Sequence, residues 1–366
     1  MSKKFDQNSV NQERIAEALG ISRTTVSRCF TNHPGINPMT RAKVFEYASK
    51  IGYQHMETRV PAKRAASREL NIGVLVCTEI EEYFRSAYES PGVAIYAGIC
   101  EYAQLHKIRL DLRYVDPRDK TLAGQSYQEI EPLRRRDWDG VLLLYPFPHA
   151  VVDELQQRLP LLSLVEQYST LATNCVDADH FNGMAGLISQ LVALGHTRIG
   201  FYTRNYEVEP GWSFHRFSAY VEKTVRMQRA FSFDDVVNVH PHIFPTLEES
   251  FDRVAKRIKA GVTAWMCAAD HQAYDLIAAL KERGFDVPAD VSITGFDGIQ
   301  RPADAPELAT AMIPYREIGF TGARRLSDMI SKRFGSPHHI FIGCQIRNGE
   351  TMAPPPRARK GKAVAE

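Results

Sequence analysis

Arg23 and Ser27 stand four residues apart, as do Thr24 and Arg28, the separation that places side chains on one face of a helix. Two guanidinium groups flanked by hydroxyls, with no acidic residue between Ile21 and Phe45, make a face suited to a DNA major groove. There Arg reads guanine edges, and Ser or Thr holds phosphates. An ordinary amphipathic surface helix also exposes polar residues, so the local frame must separate the two readings. Patterns for other chemistry are missing. There is no GxSxG, HExxH or paired nucleophile and base, no GxGxxG after the first apolar run and no GxxxxGK[ST]. Cys29, Cys77, Cys100, Cys175, Cys267 and Cys344 lack CxxC or CxxH spacing, and His338-His339 has no partners at metal-site spacing. These gaps predict neither catalytic residues nor a metal, and no cofactor.

The frame around the basic face is that of a helix pair. Ser9-Val10-Asn11-Gln12 has the hydroxyl and Gln of a capping box, which predicts a helix to about Leu19. Gly20 permits the left-handed backbone that stops it, and Ser22 can cap a second helix beginning at Arg23. So short a link forces a steep crossing, which needs a small residue at the contact. Ala16 supplies it, with Ile15, Leu19, Ile21, Val26 and Cys29 as filling. Asn37-Pro38 starts a third helix whose Val44, Tyr47, Ala48 and Ile51 form one apolar stripe, ended by Gly52. Short turn, small contact residue, caps and basic face together favour the DNA reading over a plain surface helix.

Charge divides the chain in the same way. Residues 1–70 hold 12 Lys and Arg against 6 Asp and Glu, whereas residues 71–353 hold 29 against 36. A basic head on an acidic body suits a polyanion-binding module attached to a body with other partners. At 366 residues the chain is long enough for two or three compact units. With no long apolar run and no apolar core near Met1, a membrane partner is not expected and a cytoplasmic, nucleoid-associated location is. Residues 59–71, with Arg59, Lys63, Arg64 and Arg68 around Pro61, read as a basic linker. From Ile72 short apolar runs (72–76, 108–112, 141–144, 161–165, 199–202, 264–268, 291–296) alternate with amphipathic stretches. Such alternation predicts parallel sheets covered by helices, and its length predicts two lobes. The Pro-rich basic tail, residues 354–366, is expected to be disordered.

The run Ile15-Ala16-Glu17-Ala18-Leu19-Gly20-Ile21-Ser22-Arg23-Thr24-Thr25-Val26-Ser27-Arg28, then Thr40-Arg41-Ala42-Lys43-Val44 and Gly52-Tyr53, resembles the DNA-binding domain of the lac repressor/galactose repressor family. Trp138-Asp139-Gly140-Val141, Leu194-Gly195-His196-Thr197-Arg198-Ile199, Ala268-Ala269-Asp270 and Val287 to Asp297 extend the likeness through the body. The resemblance implies an α/β architecture: a three-helix helix-turn-helix domain (1–58) and a two-lobed, Rossmann-like periplasmic-binding-protein type I effector domain (72–353). It implies a cytoplasmic regulator, a repressor in family terms, whose homodimer sets two recognition helices about 34 to 36 Å apart on a near-palindromic operator. By position, Arg23, Thr24 and Arg28 would read bases, and Ser22, Thr25 and Ser27 would lie near phosphates. Arg216 and Asp297 match the family's ligand-binding pair. Asn182 lies in a loop that adds a polar contact, Asp270 belongs to a landmark beside the ligand, and Tyr83 and Phe84 would wall the cleft. The implied effector is a small molecule, a sugar or sugar derivative.

Two departures stand out. Ahead of the Leu70 and Asn71 that end it, the stretch 54–71 lacks the Asn and Leu of the family's DNA-wedging hinge helix, with Val60 and Ala62 the nearest apolar residues. Ala269 stands where many members carry an Asn used on sugar hydroxyls. A solute-binding protein of sugar transport would share the body, but would need a signal peptide and no basic helical head.

Overall fold

The computed structural model describes residues 11–30, 35–51, 53, 69–78, 90–168, 170–205, 210–229, 231–331 and 337–356. The chain divides into two compact units, one ending at Arg68 and one beginning at Glu69.

The first unit holds α1 (Gln12–Leu19), α2 (Arg23–Phe30) and α3 (Pro38–Lys50). Asn11, not Ser9, caps α1, its side chain accepting the Arg14 N–H at 3.0 Å. Ser9 lies outside the described residues. Gly20 adopts φ 63°, and its N–H and that of Ile21 turn back onto the last carbonyls of α1. Ser22 caps α2 by accepting the Thr25 N–H at 3.1 Å, and Asn37 caps α3 by accepting the Met39 N–H at 2.8 Å. Ile15, Ala16, Val26, Cys29, Val44 and Ala48 form one small core, with Leu19, Ile21, Tyr47 and Ile51 packed around it.

The second unit carries two sheets. In the first lobe β1 (Leu70–Cys77), β2 (Ile108–Val115), β3 (Gly140–Leu144), β4 (Leu161–Leu164), β5 (Asn174–Ala178) and β11 (His339–Ile342) lie in the order β11-β5-β4-β3-β1-β2, all parallel. In the second, β6 (Ile199–Tyr202), β7 (Val236–Val237), β8 (Ala264–Cys267), β9 (Ser292–Asp297), β10 (Ala309–Met312) and β12 (Gln345–Arg347) run β12-β10-β9-β8-β6-β7, with only β12 antiparallel.

The covering helices are α4 (Pro91–His106), α5 (Gln125–Gln128), α6 (Glu131–Arg135), α7 (His149–Gln156), α8 (His180–Ala193), α9 (Gly211–Arg226), α10 (Leu247–Lys259), α11 (Asp270–Glu282) and α12 (Tyr315–Ile330). Helices α4 and α12 touch backbone to backbone. A Cβ on Gly98 would fall 1.8 Å from the Arg316 carbonyl oxygen, and one on Gly319 would fall 1.9 Å from that of Ile95.

The seven apolar runs all become strands; six follow from burial on both faces, and the edge strand β2 is half-exposed with only Val115 buried. Sequence reasoning passes over β5, β7, β10, β11 and β12. Asn174-Cys175-Val176-Asp177-Ala178 and Ala309-Thr310-Ala311-Met312 offer too few bulky apolar side chains to stand out, yet both are almost wholly buried. The expected linker also gives up its last two residues, because β1 starts at Leu70 and pairs it with Ile108. Residues 54–68 lie outside the described residues. At the other end, a Cβ on Gly195 would stand 3.6 Å from Pro355 Cδ, and the Ala353 carbonyl accepts from the His196 ring, so the start of the expected tail lies beside the body.

The chain passes between lobes three times: from β5 into α8, from β10 into α12, and from β11 to β12. The passages are tied to each other and to the strand ends. The Asp179 N–H donates to the Ile342 carbonyl at 2.8 Å, and the Ile313 N–H to the Asp297 carbonyl at 3.0 Å.

Candidate functional sites on the recognition helix and at the lobe junction

On α2, Val26 and Cys29 point into the core and leave Arg23, Thr24 and Arg28 exposed on the opposite side. Ser22 and Thr25 are engaged with each other, hydroxyl to hydroxyl at 2.9 Å. Ser27 is half-buried. The face therefore presents two cations and a hydroxyl outward, held by a capped start and a packed back.

In the second unit, Arg216 and Asp297 meet at the junction of the lobes. Arg216 projects from α9 and Asp297 ends β9. Arg216 Nη2 lies 2.9 Å from Asp297 Oδ1, with the side chains 3% and 10% exposed. The guanidinium is layered between the rings of Trp212 (4.6 Å) and Phe296 (4.1 Å), and it donates to the Ala268 carbonyl at the end of β8. The Tyr315 hydroxyl, at the start of α12, donates to Asp297 Oδ1 at 2.9 Å. Burial and the neighbouring Asp297 push that phenol well above its usual range.

Asp297 has φ 130° and is followed by Gly298 at φ 78°. A non-glycine residue there stores roughly 1 to 3 kcal/mol, so something must hold the turn. Asp270 does. Its Oδ2 accepts the N–H groups of Gly298 and Ile299 at 2.7 and 2.9 Å, and its Oδ1 the Thr310 hydroxyl at 2.6 Å. Asp270, which the resemblance sets among the effector contacts, is fully buried and aims Asp297 from behind. Burial and nearby Asp297 push its carboxyl up to about 7.

Asn182 does not join this cluster through the bonds it makes. It is exposed on the first turn of α8, where its amide donates to Asp179 Oδ2 at 2.6 Å. Tyr83 and Phe84 lie outside the described residues.

The junction contains residues that spacing did not reveal. His180, first residue of α8 and 5% exposed, lies 3.3 Å through Nε2 from Asp177 Oδ2 and 3.3 Å through Nδ1 from Arg216 Nε. Asp177 also accepts from the Gln167 amide at 2.9 Å. Burial would raise its carboxyl, but His180, Gln167 and the Ala178 N–H outweigh that and hold it below the usual range. The signal available was Asp177 and His180 three apart, at a strand end leading into a helix.

Glu166, just past β4, reaches the first turn of α9. It accepts the Gly211 N–H, and a Cβ on Gly211 would come 2.5 Å from its Oε1. Its Oε2 is buried with no hydrogen-bond partner among the described residues. Burial first, then Asp177, pushes this carboxyl up to about 8. His271, on α11, is pushed down to about 4 by burial, with Arg204 and Arg216 opposing its proton and Asp297 and Asp275 favouring it. The whole cluster can orient hydroxyl groups, since it offers donors and acceptors side by side. Among the described residues no group of three His, Cys, Asp or Glu side chains is placed to hold a metal, and no helix is long and apolar enough to cross a membrane.

Residues 188–352 match the family of periplasmic binding protein-like domains. MalR, an HTH-type transcriptional regulator of Streptomyces coelicolor, is 27% identical over 359 residues, covering 94% of this chain and 98% of MalR. Over nearly its whole length the chain is similar to HTH-type transcriptional regulators. Among solved structures, a transcriptional regulator CelR–cellobiose complex aligns with a TM-score of 0.64 at 20% identity, over 93% of this chain and 99% of that one. The lac repressor dimer bound to operator and the anti-inducer ONPF aligns at 0.61 and 21%, over 94% and 99%. The resemblance to the lac repressor/galactose repressor family thus holds along nearly the whole chain, and the two-lobed fold with it.

Proposed function

We propose that the chain is a ligand-responsive repressor of transcription and not an enzyme. Two copies bind a near-palindromic operator through α2, with Arg23, Thr24 and Arg28 at the bases and Ser22, Thr25 and Ser27 toward phosphates. A sugar or sugar derivative at the lobe junction changes that affinity, and the protein works in the cytoplasm on nucleoid DNA. The carrying observation is the buried Arg216–Asp297 pair of the second lobe, bonded to His180 and Tyr315 at the passages to the first, in a chain that also presents a basic capped helix. A hydroxyl can accept from the guanidinium and donate to the carboxylate, so a polyol satisfies both charges without leaving either unpaired. An effector shifts operator affinity only by its preference for one lobe arrangement, typically about 1 to 3 kcal/mol.

The test couples two assays. A fragment from upstream of the protein's own gene is shifted on a gel, and cellobiose, sucrose, glucose and ribose are screened for a rise in melting temperature and for reversal of the shift. Arg216→Ala should abolish the rise while the operator shift persists, and Arg216→Lys, which keeps the charge but not the fork, should show the same loss. A folded variant that responds fully refutes the assignment of Arg216. Failure of the wild type to shift any upstream fragment refutes the regulator.

A further inference from the structure

We propose that His180 is a positioning residue that holds Arg216 only through its neutral, Nε2–H form, so that acidification releases the guanidinium from the lobe junction. The argument is one of donors and acceptors. Arginine has no acceptor, so the 3.3 Å contact between Arg216 Nε and His180 Nδ1 requires an N–H on the arginine and a lone pair on the imidazole. The ring proton then sits on Nε2 and points at Asp177 Oδ2, 3.3 Å away. His180 is thus an acceptor toward the second lobe and a donor toward the first. A second proton has only Nδ1 to occupy, where it would set one N–H against another and one cation against another. Asp177 would hold the protonated ring more tightly while Arg216 lost its partner.

The surroundings fit such a switch. From β5, Asp177 faces the ring, with Gln167 and, beyond it, Glu166 from the segment after β4. From α9 come Arg216 and His215. The His215 ring lies nearly parallel to His180, 6.0 Å between centroids and 11° between planes. Burial, together with the neighbouring His180 and Arg216, pushes the His215 ring below its usual range against the pull of Asp177. From β9, Phe296 packs on His180 at 5.7 Å, and Asp297 stands on the far side of Arg216. At the third passage Cys344 Sγ lies 3.7 Å from the carbonyl oxygen of Asp179, the residue before His180. Of these groups, Arg216 and Asp177 touch the two ring nitrogens directly, and the Asp177 carboxyl is held below its usual range. Trp212, whose ring lies under the guanidinium, reports on its position.

The consequence for effector binding rests on the function proposed above; the tautomer and the release do not. The full-length protein labelled with 15N-histidine is followed by long-range ring-nitrogen spectra from pH 8 to pH 5.5, with His180 assigned from its loss in His180→Asn. Tryptophan emission is recorded in parallel. The expected result is Nε2–H at pH 8, then proton uptake accompanied by a change in emission. In His180→Asn the amide oxygen takes the place of Nδ1 and accepts from Arg216 at every pH, so the His180-dependent emission change disappears. His180→Leu should show at pH 8 the emission of acidified wild type. For any of cellobiose, sucrose, glucose or ribose that raises the melting temperature, affinity should fall about tenfold more between pH 8 and pH 5.5 in wild type than in His180→Asn, the scale of one hydrogen bond to a charged group, while the responses of Asp270 and Glu166 are common to both proteins. An Nδ1–H ring at pH 8, a His180 that stays neutral to pH 5.5, or equal acid responses in wild type and His180→Asn would overturn the proposal. If no sugar raises the melting temperature while the ring and emission results come out as expected, the effector reading fails and the switch stands.

Discussion

Glu166→Gln should stabilise the protein, and increasingly so as pH rises from 5 to 8. The wild-type carboxyl is pushed from its ordinary value near 4.5 to about 8, chiefly by burial and then by Asp177, despite the opposing N–H of Gly211. Between those values the folded protein keeps a proton that the unfolded chain has lost, so stability falls as pH rises through this window and levels off above it. Each pH unit costs ~1.4 kcal/mol, which makes the loss between pH 6 and pH 8 roughly 2 to 3 kcal/mol. Glutamine offers an oxygen to the Gly211 N–H and never ionises, so it removes this dependence. Asp270, raised to about 7, adds a loss of the same sign to both proteins and cancels in their difference. Urea unfolding of wild type and variant at pH 5, 6, 7 and 8 gives the measurement. The two stability profiles should diverge steadily toward pH 8. Parallel profiles would show that Glu166 is ionised in the fold, and the account of its buried, unpartnered Oε2 would be wrong.

Other expectations concern the body and the helical head. Gly98→Ala should destabilise the body by about 1 to 3 kcal/mol or more, because the new methyl meets the Arg316 carbonyl oxygen and α4 cannot approach α12; an unchanged melting temperature would show that the helices can part cheaply. Arg28→Ala should weaken binding to the upstream fragment by about 1 to 3 kcal/mol and relax discrimination at one base pair, as read by gel shifts on single-base operator variants. A loss uniform over all sequences would move Arg28 from the bases to the phosphates.

The helical head was legible because its structure is made by neighbours in sequence. Gly20, Ser22 and Asn37 act on groups within a few positions of themselves, and even the misplaced cap of α1 moved by only two residues. The central strands were legible because burial on both faces demands unbroken apolar runs. Strand β10 was not, since Thr310 is buried by giving its hydroxyl to Asp270, a partner forty positions away in the chain. The lobe junction is of that second kind throughout. Arg216 and Asp297 came from a family resemblance, which named two side chains and could not show that each neutralises the other. His180 and Glu166 were missed because their meaning lies in what the fold sets against them: an arginine from one helix and the first N–H of the same helix.

That placement bears on how a ligand signal would leave the site. The first passage between lobes begins α8 with His180, which touches Arg216; the second leads to Tyr315, which touches Asp297; the third runs past Asp179 through Cys344. Whatever changes the spacing of Arg216 and Asp297 therefore acts directly on residues at the start of two of the three connections. No chain of intermediates through either core is needed, because the groups proposed to sense the ligand are bonded to the segments about which the lobes would turn. Coupling should then be altered more by His180 and Tyr315 variants than by changes of equal stability cost in the sheets.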